Sequence, residues 1–231
     1  MNIKPVLKDN DWSTIIEVAN RREGQNYWNI GDEIDIILSG KYCETVTLQI
    51  WDFNHFDKSD NTGKANILFG MKDLMRHTMK MNLEFNTNKG GWNDSYMRNT
   101  VMKNIYESIP EHIRNYIKEV NTYANKGDYN TSSSQGLLSK DKVFLPGLTE
   151  CNDNWSSQNQ TETGQRLFPI FSNDSSRIKR LGNGSGPAQF WWTRSPYYSY
   201  SNNFCGFYDS GLTGSSHYAS IGSGVCFCFN I

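Results

Sequence analysis

Four side chains able to ligate a metal ion lie in one polar segment. Asp52, His55, Asp57 and Asp60 follow one another closely, with Asn54 between the first two. Oxygen-rich loops of this kind bind Ca²⁺. However, the spacing does not match an EF-hand, and no glutamate closes the loop. We therefore interpret the segment as a solvated turn and predict neither a metal ion nor another cofactor.

The cysteines offer a second possible chemistry. Cys226 and Cys228 stand two positions apart on a predicted strand, so both side chains face the same way. That arrangement is compatible with metal or redox chemistry but specifies neither. The five cysteines contain no Cys-x-x-Cys pair and are too sparse for a disulfide-stabilised domain. We expect free thiols.

No local motif marks a catalytic residue. The chain has no Gly-x-Ser-x-Gly nucleophile elbow, no P-loop and no His-Glu-x-x-His zinc motif. The four histidines are isolated from one another in the sequence. We therefore assign no nucleophile and no general base.

Residues 197–220 have the most informative composition. Tyrosine, serine and asparagine supply 13 of these 24 residues, and Asp209 is the one charged residue after Arg194. Tyrosine provides a large contact area with few rotatable bonds, while serine, glycine and asparagine provide adaptable hydrogen bonds, as in antibody loops. A glycine-rich β meander that happens to be aromatic is the alternative interpretation. We favour a binding surface.

We predict that the aromatic residues of this segment cluster on the surface, because tyrosines alternate irregularly with serines and asparagines and no apolar face results. The candidate ligand-binding residues are Tyr197, Tyr198, Tyr200, Asn202, Asn203, Phe204, Phe207, Tyr208, Ser210, His217 and Tyr218.

The elements that would position this surface form one α+β domain over residues 1–231, with helices first and irregular β structure last. Hydrophobic periodicity predicts a helix from Trp12, a hairpin of strands 34–38 and 44–51, and a terminal strand from Val225. Helices are also predicted within 66–81, from Asp94, and from Ser108, the last with Pro110 in its first turn and an apolar stripe that extends to Val120. Residues 123–139 and 152–164 are predicted as polar loops.

Charge and hydropathy exclude several classes of partner. The net charge of −1 provides no electrostatic attraction to nucleic acid. No apolar run approaches the roughly 20 residues that span a bilayer, so we expect no membrane insertion. The first residues contain no apolar stretch of the kind found in secretory signals.

Two motifs carry a resemblance to a known family. Residues 90–98 (GGWNDSYMR) and 191–196 (WWTRSP), followed by the Tyr/Ser/Asn-rich stretch and a terminal Gly224-Val225 strand, resemble an uncharacterised domain family common in phage tail and minor structural proteins of gut bacteria. Many members end in Gly-Val-Arg-Pro-Ala, where this chain has Cys226-Phe227-Cys228. Trp92-Asn93-Asp94 also matches a signature of the calcium site in sugar-binding lectins, but we interpret these residues as a helix N-cap.

That family in turn resembles the C-type lectin fold in its formylglycine-generating-enzyme subclass. The same fold carries the variable proteins of diversity-generating retroelements, in which residues near the C-terminus are rewritten. The resemblance implies a non-catalytic scaffold that displays a diversifiable ligand-binding surface. Its implied partners are a protein or glycan on a host bacterial surface and other phage tail subunits. Its implied location is the virion tail, or the host cytoplasm before assembly.

Two alternatives remain open. One is a formylglycine-generating-type or other cysteine-dependent redox enzyme that uses Cys226 and Cys228. The other is a structural virion protein whose aromatic face is a subunit interface.

Overall fold

A computed structural model describes residues 2–83, 86–129, 136–152 and 165–231, which form an α+β fold. The largest sheet has five antiparallel strands in the order β1-β2-β3-β10-β6. Its strands are β1 (Glu33–Ile37), β2 (Thr45–Phe53), β3 (Ile67–Met71), β6 (Val143–Phe144) and β10 (Cys228–Asn230). The predicted hairpin is confirmed as β1 and β2, with Ile34 opposite Leu48.

Two smaller sheets flank the main one. The first pairs β4 (Val120–Asn125) with β5 (Gly136–Asp141), and the second has the order β7 (Trp191–Pro196), β8 (Asn203–Phe207) and β9 (Thr213–Tyr218). The prediction of a polar loop over 123–139 is therefore wrong at both ends. Hydrophobic periodicity did not reveal the hairpin, because its inward-facing residues include the polar pair Thr122 and Asp141. Both are buried, and the Thr122 hydroxyl donates a hydrogen bond to Asp141.

Six α-helices are present in the described ranges, all of them short. They are α1 (Trp12–Asn20), α2 (Gly24–Tyr27), α3 (Gly91–Asp94), α4 (Lys103–Ser108), α5 (Glu111–Arg114) and α6 (Leu148–Cys151). The predicted helix around Leu74 and Met75 is absent, since their N–H groups donate to the distant carbonyls of Arg180 and Val225. Both side chains are nevertheless buried. No helix within the described residues has the length and apolar character needed to cross a membrane.

The helix expected from Asp94 begins slightly later. A π-helical segment, Met97–Met102, runs directly into α4. The side chain that caps it is Ser95, whose hydroxyl accepts the Arg98 N–H at 3.1 Å. The N-cap interpretation of Asn93 and Asp94 is therefore wrong, because both lie inside α3.

The C-terminal strand is buried on both faces. Val225, Phe227, Phe229 and Ile231 are buried as predicted, and so are the alternate residues Cys226, Cys228 and Asn230. β10 pairs with β3 along one edge and with β6 along the other. The last residues of the chain thus occupy an interior strand of the largest sheet, next to its edge strand β6.

We predict that Phe229→Ala strongly lowers the free energy of unfolding. The Phe229 ring packs against Phe69, with centroids 5.9 Å apart. Truncating a buried phenylalanine costs about 3–5 kcal/mol, which chemical denaturation would measure. Ile37→Ala is the control, since Ile37 is 67% exposed and should change stability by less than about 0.5 kcal/mol. Equal effects of the two variants would contradict this account of the strand.

Candidate functional site

Eight of the eleven predicted ligand-binding residues lie at the surface. Tyr200, Tyr208 and Tyr218 are exposed by 52%, 40% and 48%. The other five are exposed or half-exposed: Tyr197, Tyr198, Asn202, Ser210 and His217. These residues come from the β7–β8 connection, the β8–β9 turn and the end of β9, so one three-stranded sheet presents them all.

The prediction is wrong for Asn203, Phe204 and Phe207, which are buried. All three belong to β8, the central strand of the sheet, which is flanked by β7 and β9. The Phe207 ring packs against Trp191 at a centroid distance of 4.8 Å. The segment therefore divides into a buried strand and exposed connections, a division that composition alone does not reveal.

The first exposed group is the tyrosine loop, which we define as residues 197–202 between β7 and β8. The Tyr197 ring lies 5.0 Å from that of Tyr198 and 5.6 Å from that of Tyr200, measured between centroids. The three rings therefore form one contiguous aromatic cluster at the surface.

The second group is the outer aromatic face, in which the exposed Tyr208 and the half-exposed His217 pack on the buried ring of Phe190. The His217 ring stacks on Phe190 with centroids 4.0 Å apart, and Tyr208 meets the same ring edge-on at 5.6 Å. Gly206 and Gly214 make this possible, because a Cβ at either position would lie within 2.6 Å of the Phe190 ring. Burial lowers the pKa of His217, so the face is uncharged at neutral pH.

Asn88 fixes the backbone of the tyrosine loop. Its side-chain amide donates to the carbonyls of Tyr197, Tyr200 and Asn203 at 3.2, 2.6 and 2.8 Å. Its own N–H donates to the Ser201 carbonyl at 2.7 Å. Asn88 is fully buried, so these bonds are shielded from water. No sequence motif pointed to this residue, because the loop carbonyls that it holds are more than a hundred positions away.

An ion pair inside the protein holds β7 in place. Arg194 and Glu150 are both fully buried, and the guanidinium donates to the two carboxylate oxygens at 2.7 and 2.5 Å. Arg194 also donates to the carbonyls of Tyr123 and Leu145, at 3.0 and 3.1 Å. Burial by itself would raise the pKa of Glu150. The Arg194 charge and the hydrogen bonds from Arg194 and the Gly147 N–H outweigh it and lower that pKa.

The motif of residues 90–98 supplies hydrogen bonds to a second buried acid, Asp141. Asp141 accepts hydrogen bonds from the Trp92 indole at 2.9 Å, from Arg98 at 2.7 Å and from the Thr122 hydroxyl at 2.7 Å. Trp92 and Arg98 belong to residues 90–98, and Arg194 to Trp191–Pro196. Both motifs that carry the family resemblance therefore supply structural contacts.

The segment interpreted as a solvated turn is only partly exposed. Asp57 and Asp60 face solvent, but Asp52 and His55 are buried. His55 Nδ1 donates to Asp52 Oδ2 at 2.7 Å, and Arg166 pairs with the same oxygen at 2.6 Å. The solvated-turn prediction is therefore wrong for Asp52 and His55. Across the described residues, no group of three or more His, Cys, Asp or Glu side chains is arranged to hold a metal ion.

All five cysteines are free thiols, as predicted. Cys226 donates to the Met71 carbonyl on β3, and Cys228 donates to the Phe144 carbonyl on β6. The two thiols therefore have partners on different strands, which lie on opposite sides of β10. Burial raises the pKa of Cys226 to about 11, and that of Cys228 well above its ordinary value. Thiols of this kind are protonated at neutral pH and react slowly.

We predict that Asn88→Ala loosens the tyrosine loop. The change leaves buried carbonyls without a donor, which costs about 1–3 kcal/mol. Amide hydrogen exchange within residues 197–203 should accelerate more than elsewhere. Asn99→Ala is the control, because Asn99 makes its side-chain bond at the surface. If amide exchange in the tyrosine loop were unchanged in Asn88→Ala, Asn88 would not be what holds the loop backbone.

We predict that Glu150→Gln destabilises the fold by about 3–5 kcal/mol, because it leaves a buried guanidinium without its counter-charge. The folded-state pKa of Glu150 lies below its ordinary 4.5. The pair's contribution is thus complete above that value and is lost as pH falls through the folded-state pKa.

Urea denaturation from neutral pH to about pH 3 measures this, and the variant should lack that component of the acid destabilisation. Glu17→Gln removes an exposed pair with Arg21 and should cost less than about 1 kcal/mol. A Glu150→Gln variant that tracks Glu17→Gln at every pH would overturn the assignment.

Comparison with known proteins matches the sequence to one family. A family model described as a domain of unknown function, DUF6273, matches residues 56–231. No curated protein and no solved structure is significantly similar to the chain. The matched range includes Asn88, both buried acids and the whole exposed aromatic surface. The chain therefore belongs to the DUF6273 family.

Proposed function

We propose that this protein is a non-catalytic ligand-binding protein whose binding surface consists of the tyrosine loop and the outer aromatic face. The observation that carries the proposal is the exposure of Tyr197, Tyr198 and Tyr200 as one cluster on a fixed backbone. Contiguous exposed aromatic groups on a protein surface mark interaction sites. Tyrosine is also among the residues that dominate binding energies at interfaces.

The tyrosine loop is suited to diversification because its backbone is held by a side chain from outside the loop. Asn88 holds the loop through the carbonyls of Tyr197, Tyr200 and Asn203. Every amino acid has a backbone carbonyl, so the clamp survives when the side chains of the loop change. This separation supports a variable protein of a diversity-generating retroelement, built on a C-type-lectin-like fold of the formylglycine-generating-enzyme subclass.

A phage or prophage protein of the tail, binding a protein or glycan on a host bacterial surface, is the setting we propose. It would assemble with other tail subunits and reach the virion from the host cytoplasm. Support comes from the two motifs and from a surface that carries a single charge over residues 195–231. A surface of this kind binds through contact area and hydrogen bonds rather than through long-range attraction.

The environment of the thiols supports a non-catalytic role. Cysteine chemistry requires a thiolate that a substrate can reach. Cys226 and Cys228 are fully buried, and burial raises the pKa of both. The redox-enzyme alternative therefore has no favourable observation behind it.

We predict that Tyr198→Ala and Tyr200→Ala each weaken binding to intact cells of a susceptible host by at least about 2 kcal/mol, or roughly thirtyfold. The affinity should depend weakly on salt, because Asp209 is the one charge in the segment. Cell binding of the labelled protein measures both effects.

Tyr116→Ala is the matched control, since Tyr116 is 46% exposed and follows α5, outside the proposed surface. It should leave binding unchanged. A scan that placed the loss at Tyr116, or in the predicted loop 152–164, would contradict the proposal. Residues 153–164 of that loop lie outside the described residues.

A further inference from the structure

We propose that the outer edge of β1 binds an extended, basic segment of a partner protein, which adds a sixth strand to the five-stranded sheet. β1 lies at the end of the strand order, so it is paired on one side, with β2. Its edge shares no residue with the tyrosine loop or the outer aromatic face, and the two surfaces can therefore be tested separately.

The backbone along this edge lacks hydrogen-bond partners. The Leu38 N–H donates to the Glu44 carbonyl at 2.9 Å, which shows which residues of the hairpin face each other. Because backbone groups alternate in direction along a strand, those of Glu33, Asp35 and Ile37 point away from β2. None of their N–H and C=O groups is bonded to a described residue. Donors and acceptors at this spacing match the backbone of another strand.

Side chains close a comparable edge elsewhere in the fold. On β5, the outward carbonyls of Leu138 and Lys140 accept hydrogen bonds from the Asn93 carboxamide and the Arg98 guanidinium, at 3.1 and 3.2 Å. At β1, no side chain from the described residues reaches the outward backbone groups. The edge of β1 is therefore open in a way that the edge of β5 is not.

A cleft of about 670 Å³ lies beside β1. It is lined by Glu33, Ile34 and Asp35 of the strand and by Asp11 and Trp12 at the start of α1. Strands added to an exposed edge obtain affinity from main-chain hydrogen bonds and specificity from alternate side chains. The cleft leaves space for such a strand, and its side chains determine which sequence fits.

The charge of the cleft defines the partner. Its walls contain the carboxylates of Asp11, Glu33 and Asp35 and a single lysine, Lys8. Glu33 is already paired with Lys72 at 2.8 Å, whereas Asp11 and Asp35 form no ion pair with a described residue. Opposite charges on directly facing residues of neighbouring strands attract each other. The edge therefore favours a strand with Lys or Arg opposite Asp35.

The same residues disfavour a second copy of this chain. Antiparallel pairing of two β1 strands about Asp35 would place the two Asp35 carboxylates opposite each other, and like charges in that position repel. Acidic side chains on an edge strand thus oppose self-association. Ile37, which is 67% exposed at the same edge, offers a contact for an apolar residue of the partner.

The test is amide hydrogen exchange, followed by NMR in the full chain with the acetylated and amidated peptide Gly-Val-Thr-Lys-Thr-Lys-Gly. Antiparallel alignment places its valine opposite Ile37 and its lysines opposite Asp35 and Glu33. At ten times the Kd found by titration, the peptide should slow exchange at these three residues about tenfold, because exchange then occurs from the free edge. Ile34 and Ile36 already bond to β2 and are the internal control.

Two matched peptides separate strand pairing from charge. A peptide N-methylated at the valine and at both lysines keeps its charge but loses the N–H groups that would donate to β1. It should leave exchange at the edge unchanged. A peptide with glutamates in place of the lysines keeps its backbone and should bind at least tenfold more weakly.

Variants of the protein locate the site. Asp35→Lys should weaken binding of the lysine peptide at least tenfold and strengthen binding of the glutamate peptide. Glu17→Lys reverses an exposed charge on α1 outside the cleft and should leave both affinities unchanged. Tyr200→Ala should also leave them unchanged, which separates this edge from the proposed function.

Four results would overturn the proposal. The first is unchanged exchange at the three edge residues with the lysine peptide, or equal protection by its N-methylated form. The second is a glutamate peptide that binds as tightly as the lysine peptide. The third is protection that rises with protein concentration in the absence of peptide, which would identify a second copy as the occupant. The fourth is binding that Tyr200→Ala abolishes and Asp35→Lys does not, which would place the peptide on the tyrosine loop.

Discussion

The buried pair between Arg194 and Glu150 is the constraint on which the arrangement of the other elements depends. An arginine charge removed from water is tolerated only when a counter-charge and further acceptors surround it. Glu150 on α6 and the carbonyls of Tyr123 on β4 and Leu145 after β6 provide these. Three separate segments must therefore meet at one guanidinium. A shift of any one of them would leave a buried charge with incomplete partners, so the pair selects one geometry for β7.

Buried polar contacts also connect β7 to the exposed tyrosine loop. Asp141 on β5 gathers Trp92, Arg98 and Thr122, which joins the hairpin of β4 and β5 to the helical segment. Asn88 lies next to that segment and holds the tyrosine loop through backbone carbonyls. Buried polar side chains thus hold the backbone of the loop through its carbonyls, which any loop residue would offer. The exposed side chains of the loop, such as that of Tyr200, can then change without the loss of these hydrogen bonds.

Local patterns predicted the elements whose hydrogen bonds are local or whose apolar face is regular. The alternation in β2 and the run of bulky residues in β10 are both of this kind, and both are confirmed. The helix expected around Leu74 and Met75 failed because their N–H groups bond to segments more than a hundred positions away. The hairpin of β4 and β5 was missed because polar residues interrupt its buried face: Thr122, Ser139 and Asp141 lie there beside Val120 and Ala124. Hydrophobic periodicity registers neither situation.

The exposed aromatic cluster lies in the segment that composition singled out, but that segment is divided differently from the prediction. Composition distinguishes an aromatic, chargeless stretch from the rest of the chain, but it does not tell a buried phenylalanine from an exposed tyrosine. Phe204 and Phe207 enter the sheet because β8 is its central strand, whereas the tyrosines fall in the connections, where the phenolic hydroxyl reaches water. Asn88 lies outside the segment altogether, so composition had no means of identifying it.

The distribution of charge explains how such an aromatic surface is compatible with a chain of balanced charge. All lysines and arginines lie at or before Arg194, and Asp209 is the one acid beyond it. Charged residues outside residues 195–231 therefore provide most of the charged, hydrated surface of the protein. Substitutions among Tyr, Ser, Asn and Phe in the loop leave that charge unchanged. The specificity of the proposed binding surface could then change while the net charge of the protein stays the same.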